Sequence, residues 1–169
     1  MRKIWIFVII AGIAILAMSA FQYLMRPGAG DVAPPFALDS MEGERVELAS
    51  FKGKPVLLHF FASWCGPCRA EFPQLSAVQD EFEEEGLTVL GISEDEEMGP
   101  IKAFVGFMKP SFPVLLDMDG KAADSYMSYA VPETIFVDRE GMIRWRHAGP
   151  IEWKGPAARM RVKELIEER

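Results

Sequence analysis

The 169-residue chain carries 18 lysines and arginines against 25 acids, a formal charge of −7, and two cysteines. Arg2, Lys3 and Arg26 sit in an otherwise charge-free N-terminal segment, so the remainder is more acidic still, which is the opposite of a general nucleic-acid binder; no nucleic-acid partner is expected. About 140 residues beyond that segment suit one domain rather than two.

From Ile4 to Met25 the chain has no charged residue, and at 1.5 Å per residue this makes about 33 Å of helix, enough to cross a bilayer. Residues 1–26 are therefore expected to form a membrane anchor. Its positive end stays in the cytoplasm and everything after Arg26 lies on the far side. Ala17-Met18-Ser19-Ala20 offers a peptidase site, the mark of a cleaved signal, but the apolar run continuing through Phe21, Tyr23 and Leu24 favours an uncleaved anchor. Either way the domain is exported, to a compartment where disulfides persist.

Residues 27–35, P-G-A-G-D-V-A-P-P, cannot continue a helix and read as a linker to a domain spanning 36–169. Two short strands around Met41–Glu44, with Gly43 at the turn, predict a hairpin. P-V-L-L-H-F-F-A-S (55–63) is a nearly unbroken apolar run, as in a strand buried on both faces. From Cys65 to about Glu85, Phe72, Leu75, Val78, Gln79 and Phe82 recur at helical spacing, with Gly86 as the stop and Pro73 as an expected kink. L-T-V-L-G-I-S (87–93) is a second buried strand, so strand, helix and strand predict a parallel crossover. A helix over 99–108, a strand over 112–117 and a helical turn or two over 121–129 follow. E-T-I-F-V-D (133–138) and M-I-R-W-R-H (142–147) flank D-R-E-G, a hairpin signal with Gly141 where positive φ is needed. Gly155-Pro156 opens a last amphipathic helix running to the C-terminus. The order predicts an α/β fold, a central mixed sheet with helices on both faces. The acidic runs 80–85 and 94–97 read as a solvated helix face and a loop, and no function is assigned to them.

Both cysteines fall in S-W-C-G-P-C-R (63–69). A structural zinc site needs about four ligands and the chain offers Cys65, Cys68, His59 and His147, two of them in strands, so no metal is expected. Haem attachment needs His after the second cysteine, where Arg69 stands. A disulfide closing so small a loop constrains little of the unfolded chain. Redox chemistry is what remains. Cys65 follows a buried strand at a helix N-terminus, where the helix dipole favours the attacking thiolate; Cys68, one turn later, can resolve the mixed disulfide. Pro67 fits a first helical turn, and Trp64 offers apolar surface beside the attacking sulfur.

W-C-G-P-C-R-A-E-F-P, the A-P-P-F-A-L opening, V-P-E-T-I-F-V-D and G-P-I-E-W together resemble the thioredoxin superfamily, and within it the membrane-anchored TlpA/ResA/CcmG type of thiol-disulfide oxidoreductase. The resemblance covers about 33–169 and implies a thioredoxin-like fold with an N-terminal hairpin extension. It also implies that Pro132 is a cis proline against the sulfurs, with Val131 presenting backbone to substrate. Glu71 matches the acid that follows the motif; three residues past Cys68, it is expected to be half-buried, with a raised pKa, and to take that thiol's proton. Glu133 matches a branch feature near the site and is expected to tune the thiolate. His59 departs from the buried Asp of thioredoxins proper; if charged, it would stabilise the thiolate and make the pair oxidising, leaving the direction of electron flow open.

The resulting expectation is a single-pass inner-membrane protein whose periplasmic domain reduces disulfides in exported proteins, with no cofactor beyond the Cys65–Cys68 redox disulfide. The resemblance suggests apocytochrome c or a copper-site protein as substrate and a transmembrane thiol carrier of the DsbD/CcdA type as donor. The alternatives are a disulfide oxidase or isomerase, and a Cu(I) metallochaperone on the same fold.

Overall fold

In the computed structural model, which describes residues 2–167, the sheet is organised around β3 (Val56–Phe61), whose six residues are all buried. It pairs in parallel with β4 (Thr88–Ser93) and antiparallel with β6 (Glu133–Val137). With β1 (Ala37–Ser40), β2 (Arg45–Glu47), β5 (Val114–Leu116) and β7 (Ile143–Ala148), the order is β2-β1-β5-β4-β3-β6-β7. The sheet is thus mixed. The β1–β2 hairpin turns at Gly43, φ +86°, as predicted, and adds to the β5 side of the sheet.

Alternation along the strands divides the interior. Leu57, Phe61, Val89 and Phe136 face one side, against α2 (Gly66–Phe82), α3 (Met98–Met108) and α5 (Pro156–Glu167). Leu58, Phe60, Leu90 and Ile135 face the other, against α4 (Lys121–Tyr126) and the segment around Phe36. Phe72 of α2 lies 4.6, 4.7 and 5.3 Å from the rings of Phe61, Phe104 and Phe112, a knot that seats the first turns of α2 on the sheet. Such ring pairs each add about 0.5–1.5 kcal/mol beyond burial. α2 continues through Pro73 and ends at Phe82, before the turn at Gly86, φ +95°. The last helix ends at Glu167; the two residues after it lie outside the described residues.

A helix, α1, covers Arg2–Met25, but among the described residues no helix is long and apolar enough to cross a membrane; side chains such as Ile4, Ile6, Val8, Tyr23 and Leu24 lie outside the described residues. Within residues 27–35, read as a tether, the stretch 30–33 is bonded to the turn before β7 and to its first residue. Gly30 N–H donates to the Ile143 carbonyl, Ile143 N–H to that of Asp31, and Ala33 N–H to that of Gly141, at 2.8, 2.8 and 2.9 Å. Gly/Pro composition signals non-helical backbone without saying where its N–H groups go; here Gly141 and Ile143 accept two of them, and Ile143 N–H is satisfied in return.

Candidate active site

β3 ends at Phe61, and the chain passes through Ala62, Ser63 and Trp64 before Cys65 caps α2. The short connection is held by a residue from the next strand's end. Asp95, 5% exposed, accepts from Ser63 N–H at 2.8 Å, Ser63 Oγ at 2.6 Å and Ser93 Oγ at 2.8 Å. Parallel neighbours end side by side, so the loops after β3 and β4 meet, and one acid of the 94–97 run, where Glu96 and Glu97 are exposed and Glu94 is half-buried, becomes a bracket for the loop before the cysteine. Sequence reasoning missed this; a serine two residues before Cys65 paired with an acid just past the parallel strand was the available signal.

Cys65 and Cys68 form a disulfide, with Cα atoms 5.3 Å apart, and Cys65 Sγ also accepts from Cys68 N–H at 3.1 Å. Pro67 lies in the first turn, where its missing N–H leaves no bond unmade. Cys65 is 4% exposed and Cys68 fully buried, whereas Trp64 is 75% exposed, so the indole is surface beside the sulfurs rather than packing.

Glu71 lies on α2 one turn beyond Cys68, more deeply buried than the half-burial expected, at 2% exposed. Its Oε1 accepts from Ile151 N–H at 2.7 Å and Trp153 Nε1–H at 2.9 Å, while Oε2 is buried without a hydrogen-bond partner. Burial raises its pKa, and the two hydrogen bonds only partly oppose the rise. A carboxyl so placed holds a proton more readily than an exposed glutamate does.

Pro132 follows Val131 through a cis peptide and its carbonyl accepts from Gly149 N–H at 2.8 Å. Val131 packs against the cluster that contains both cysteines. The stretch 149–153 therefore braces the cis proline at one end and Glu71 at the other. Glu133, expected to tune the thiolate, points to the α4 face and is wholly buried. Arg146 Nε and Nη2 grip its carboxylate at 2.6 and 3.0 Å, and Arg26 Nη2 lies 2.7 Å from each oxygen.

His59 is fully buried on the α2 side, between the rings of Phe61 and Phe72. Its Nδ1 lies 3.1 Å from Thr134 Oγ1, directly across the β3–β6 ladder, and Nε2 has no partner. Burial lowers its pKa to about 3. The imidazole is neutral at physiological pH, so the cationic stabilisation of a thiolate considered above does not operate. On the other face Glu94, bonded to Ser128 Oγ at 3.2 Å, is pushed up to about 7 by burial and, less, by the charges of Asp117 and Glu133.

A disulfide capping the helix after a central strand, a cis proline whose neighbour Val131 packs on the core cluster that holds both cysteines, and a buried carboxyl one turn below make this a thioredoxin-like protein with a dithiol site. The chain belongs to the AhpC/TSA family, whose model matches residues 29–146. It is 32% identical over 114 residues to the thiol-disulfide oxidoreductase ResA of Bacillus thuringiensis, covering 68% of this chain and 66% of that protein's length. It is 37% identical over 129 residues to the thioredoxin-like protein YneN of Bacillus subtilis, covering 74% of each. Among solved structures it resembles a Chlorobium tepidum protein assigned as thiol:disulfide interchange protein DsbE, with TM-score 0.78 and 30% identity over 83% of this chain and 99% of that one.

Proposed function

We propose that this protein is a membrane-anchored, extracytoplasmic thiol-disulfide oxidoreductase that reduces disulfides in exported proteins through Cys65 and Cys68, without a further cofactor. In the reduced form Cys65 thiolate attacks one sulfur of a substrate disulfide, breaking that S–S bond and releasing one substrate thiolate. Cys68, losing its proton to Glu71, then attacks Cys65 Sγ in the mixed disulfide and releases the second. Two electrons pass to the substrate and the pair is left oxidised, as in the structure. Val131 and Pro132 receive the substrate backbone, and Trp64 its apolar side chains. A transmembrane thiol carrier of the DsbD/CcdA type restores the dithiol; apocytochrome c or a copper-site protein is the substrate class.

The observation that carries the direction is the neutral His59. Whatever stabilises the thiolate makes a dithiol pair more oxidising. The buried imidazole supplies no positive charge, and Glu71, once ionised, opposes a nearby thiolate. Both favour a reductant. The anchor rests on the uncharged run Ile4–Met25, and the periplasmic placement follows from Arg2 and Lys3 before it. The test is the reduction potential of the full chain in detergent, from equilibrium with glutathione. A value near thioredoxin's, about −270 mV, supports the reading; one near −120 mV, that of a strong oxidant, overturns it.

A further inference from the structure

Glu133 is a fully buried carboxylate gripped by two guanidinium groups, and one of them comes from outside the domain. Arg146, on β7, donates two hydrogen bonds in a fork and spends its Nη1 on the Pro27 carbonyl at 2.6 Å. Arg26, the residue after α1, approaches both oxygens of the same carboxylate. A carboxylate withdrawn from water is tolerated only when its lone pairs are answered by charged donors. The site is therefore completed by the segment that enters the domain. Glu133 directly follows Pro132, and Val131 before it packs on the cluster holding both cysteines, so whatever fixes Glu133 also restrains the Val131–Pro132 backbone.

We propose that Arg26 is a positioning residue of the thiol site: by completing the buried Glu133–Arg146 ion site it holds the Val131–Pro132 backbone in the geometry that receives substrate. The segment is then a working part of the active site rather than a leash, and a domain cut free after Arg26 is not equivalent to the whole protein. The inference rests on the reading that Val131–Pro132 meets the substrate, and it holds for either direction of electron flow.

The test uses the full chain in detergent micelles, dithiothreitol as reductant, and a short peptide with an internal disulfide as substrate. Arg26→Ala leaves Glu133 paired with Arg146, so the domain still folds. It is expected to raise KM about fivefold with kcat within about twofold, because substrate positioning is lost while the sulfur chemistry is intact. Arg26→Lys, which keeps the positive charge but not the planar guanidinium, falls between. Hydrogen exchange at the Gly30 and Ala33 amides follows release of the segment. If Arg26→Ala frees those amides yet leaves KM within twofold of wild type, Arg26 is only a structural clamp and the proposal fails; it fails equally if kcat falls with KM unchanged. If wild type does not reduce the disulfide with dithiothreitol but, with glutathione disulfide supplied in its place as the oxidant, oxidises the dithiol form of the peptide, the direction proposed above fails instead, and the KM ratio is read in that reaction.

Discussion

Replacing Asp95 by alanine removes the one acceptor shared by Ser63 N–H, Ser63 Oγ and Ser93 Oγ at the base of the Cys65 loop. Each hydrogen bond to a charged group contributes about 1.5–3 kcal/mol. The two hydroxyls can rotate towards other acceptors, but the amide of Ser63, itself 8% exposed, cannot. Relief of the buried carboxylate's own desolvation offsets part of the loss, leaving a net cost of roughly 2–3 kcal/mol. For a chain of this size that lowers Tm by roughly 6–10 °C. Asp95→Asn, whose carbonyl in the place of Oδ2 can still accept from Ser63 N–H and Ser93 Oγ while its amide donates to Ser63 Oγ, should cost about 1 kcal/mol. Glu96→Ala, one residue on but exposed, should stay within about 0.5 kcal/mol of wild type. Circular-dichroism melts of the oxidised proteins separate the three. Were Asp95→Ala to melt within 2 °C of wild type, alongside Glu96→Ala, the network would not bear on stability and the bracketing role would be refuted.

Glu71→Gln keeps an acceptor for Ile151 N–H and Trp153 Nε1–H but cannot take a proton. The mixed disulfide at Cys65 should therefore accumulate, its release slowed about 10²-fold at neutral pH with a flattened pH profile, as read by acid quench and mass spectrometry; unaltered release would remove Glu71 from the mechanism. The lowered pKa of His59 makes unfolded chains bind a proton that the folded protein refuses. Its stabilising contribution is complete above pH 6.5 and is lost as pH falls towards about 3. Urea titrations should show wild type losing about 3 kcal/mol more than His59→Asn between pH 7 and pH 4; equal slopes would mean that the imidazole is not held neutral. A Cβ built on Gly91 meets Phe112 Cε2 at 3.1 Å and Phe61 Cε1 at 3.4 Å. Gly91→Ala should cost about 1–2 kcal/mol, relieved by adding Phe112→Leu, and a purely additive double-mutant cycle would show that the contact is not the cause.

The sequence by itself determined the elements and the reactive pair. Apolar runs marked β3 and β4 because a strand buried on both faces has no alternation to hide, and Cys65 with Cys68 was legible because their partnership is local, one helical turn apart. Glu71 was placed by the resemblance of the motif and by its spacing from Cys68, whereas its partners Ile151 and Trp153 lie 80 and 82 residues away. What depended on contacts distant in sequence was decided only by the tertiary structure. Asp95 lay in a run of acids that composition marks as solvent-facing, and only parallel pairing of β3 with β4 brings it under Ser63. Glu133 became a buried ion site because arginines 107 and 13 residues away converge on it. The charge of His59 turned on burial, which no residue type specifies: desolvation by Phe61, Phe72 and the sheet holds it neutral, and the sign of its influence on the thiolate follows from that packing.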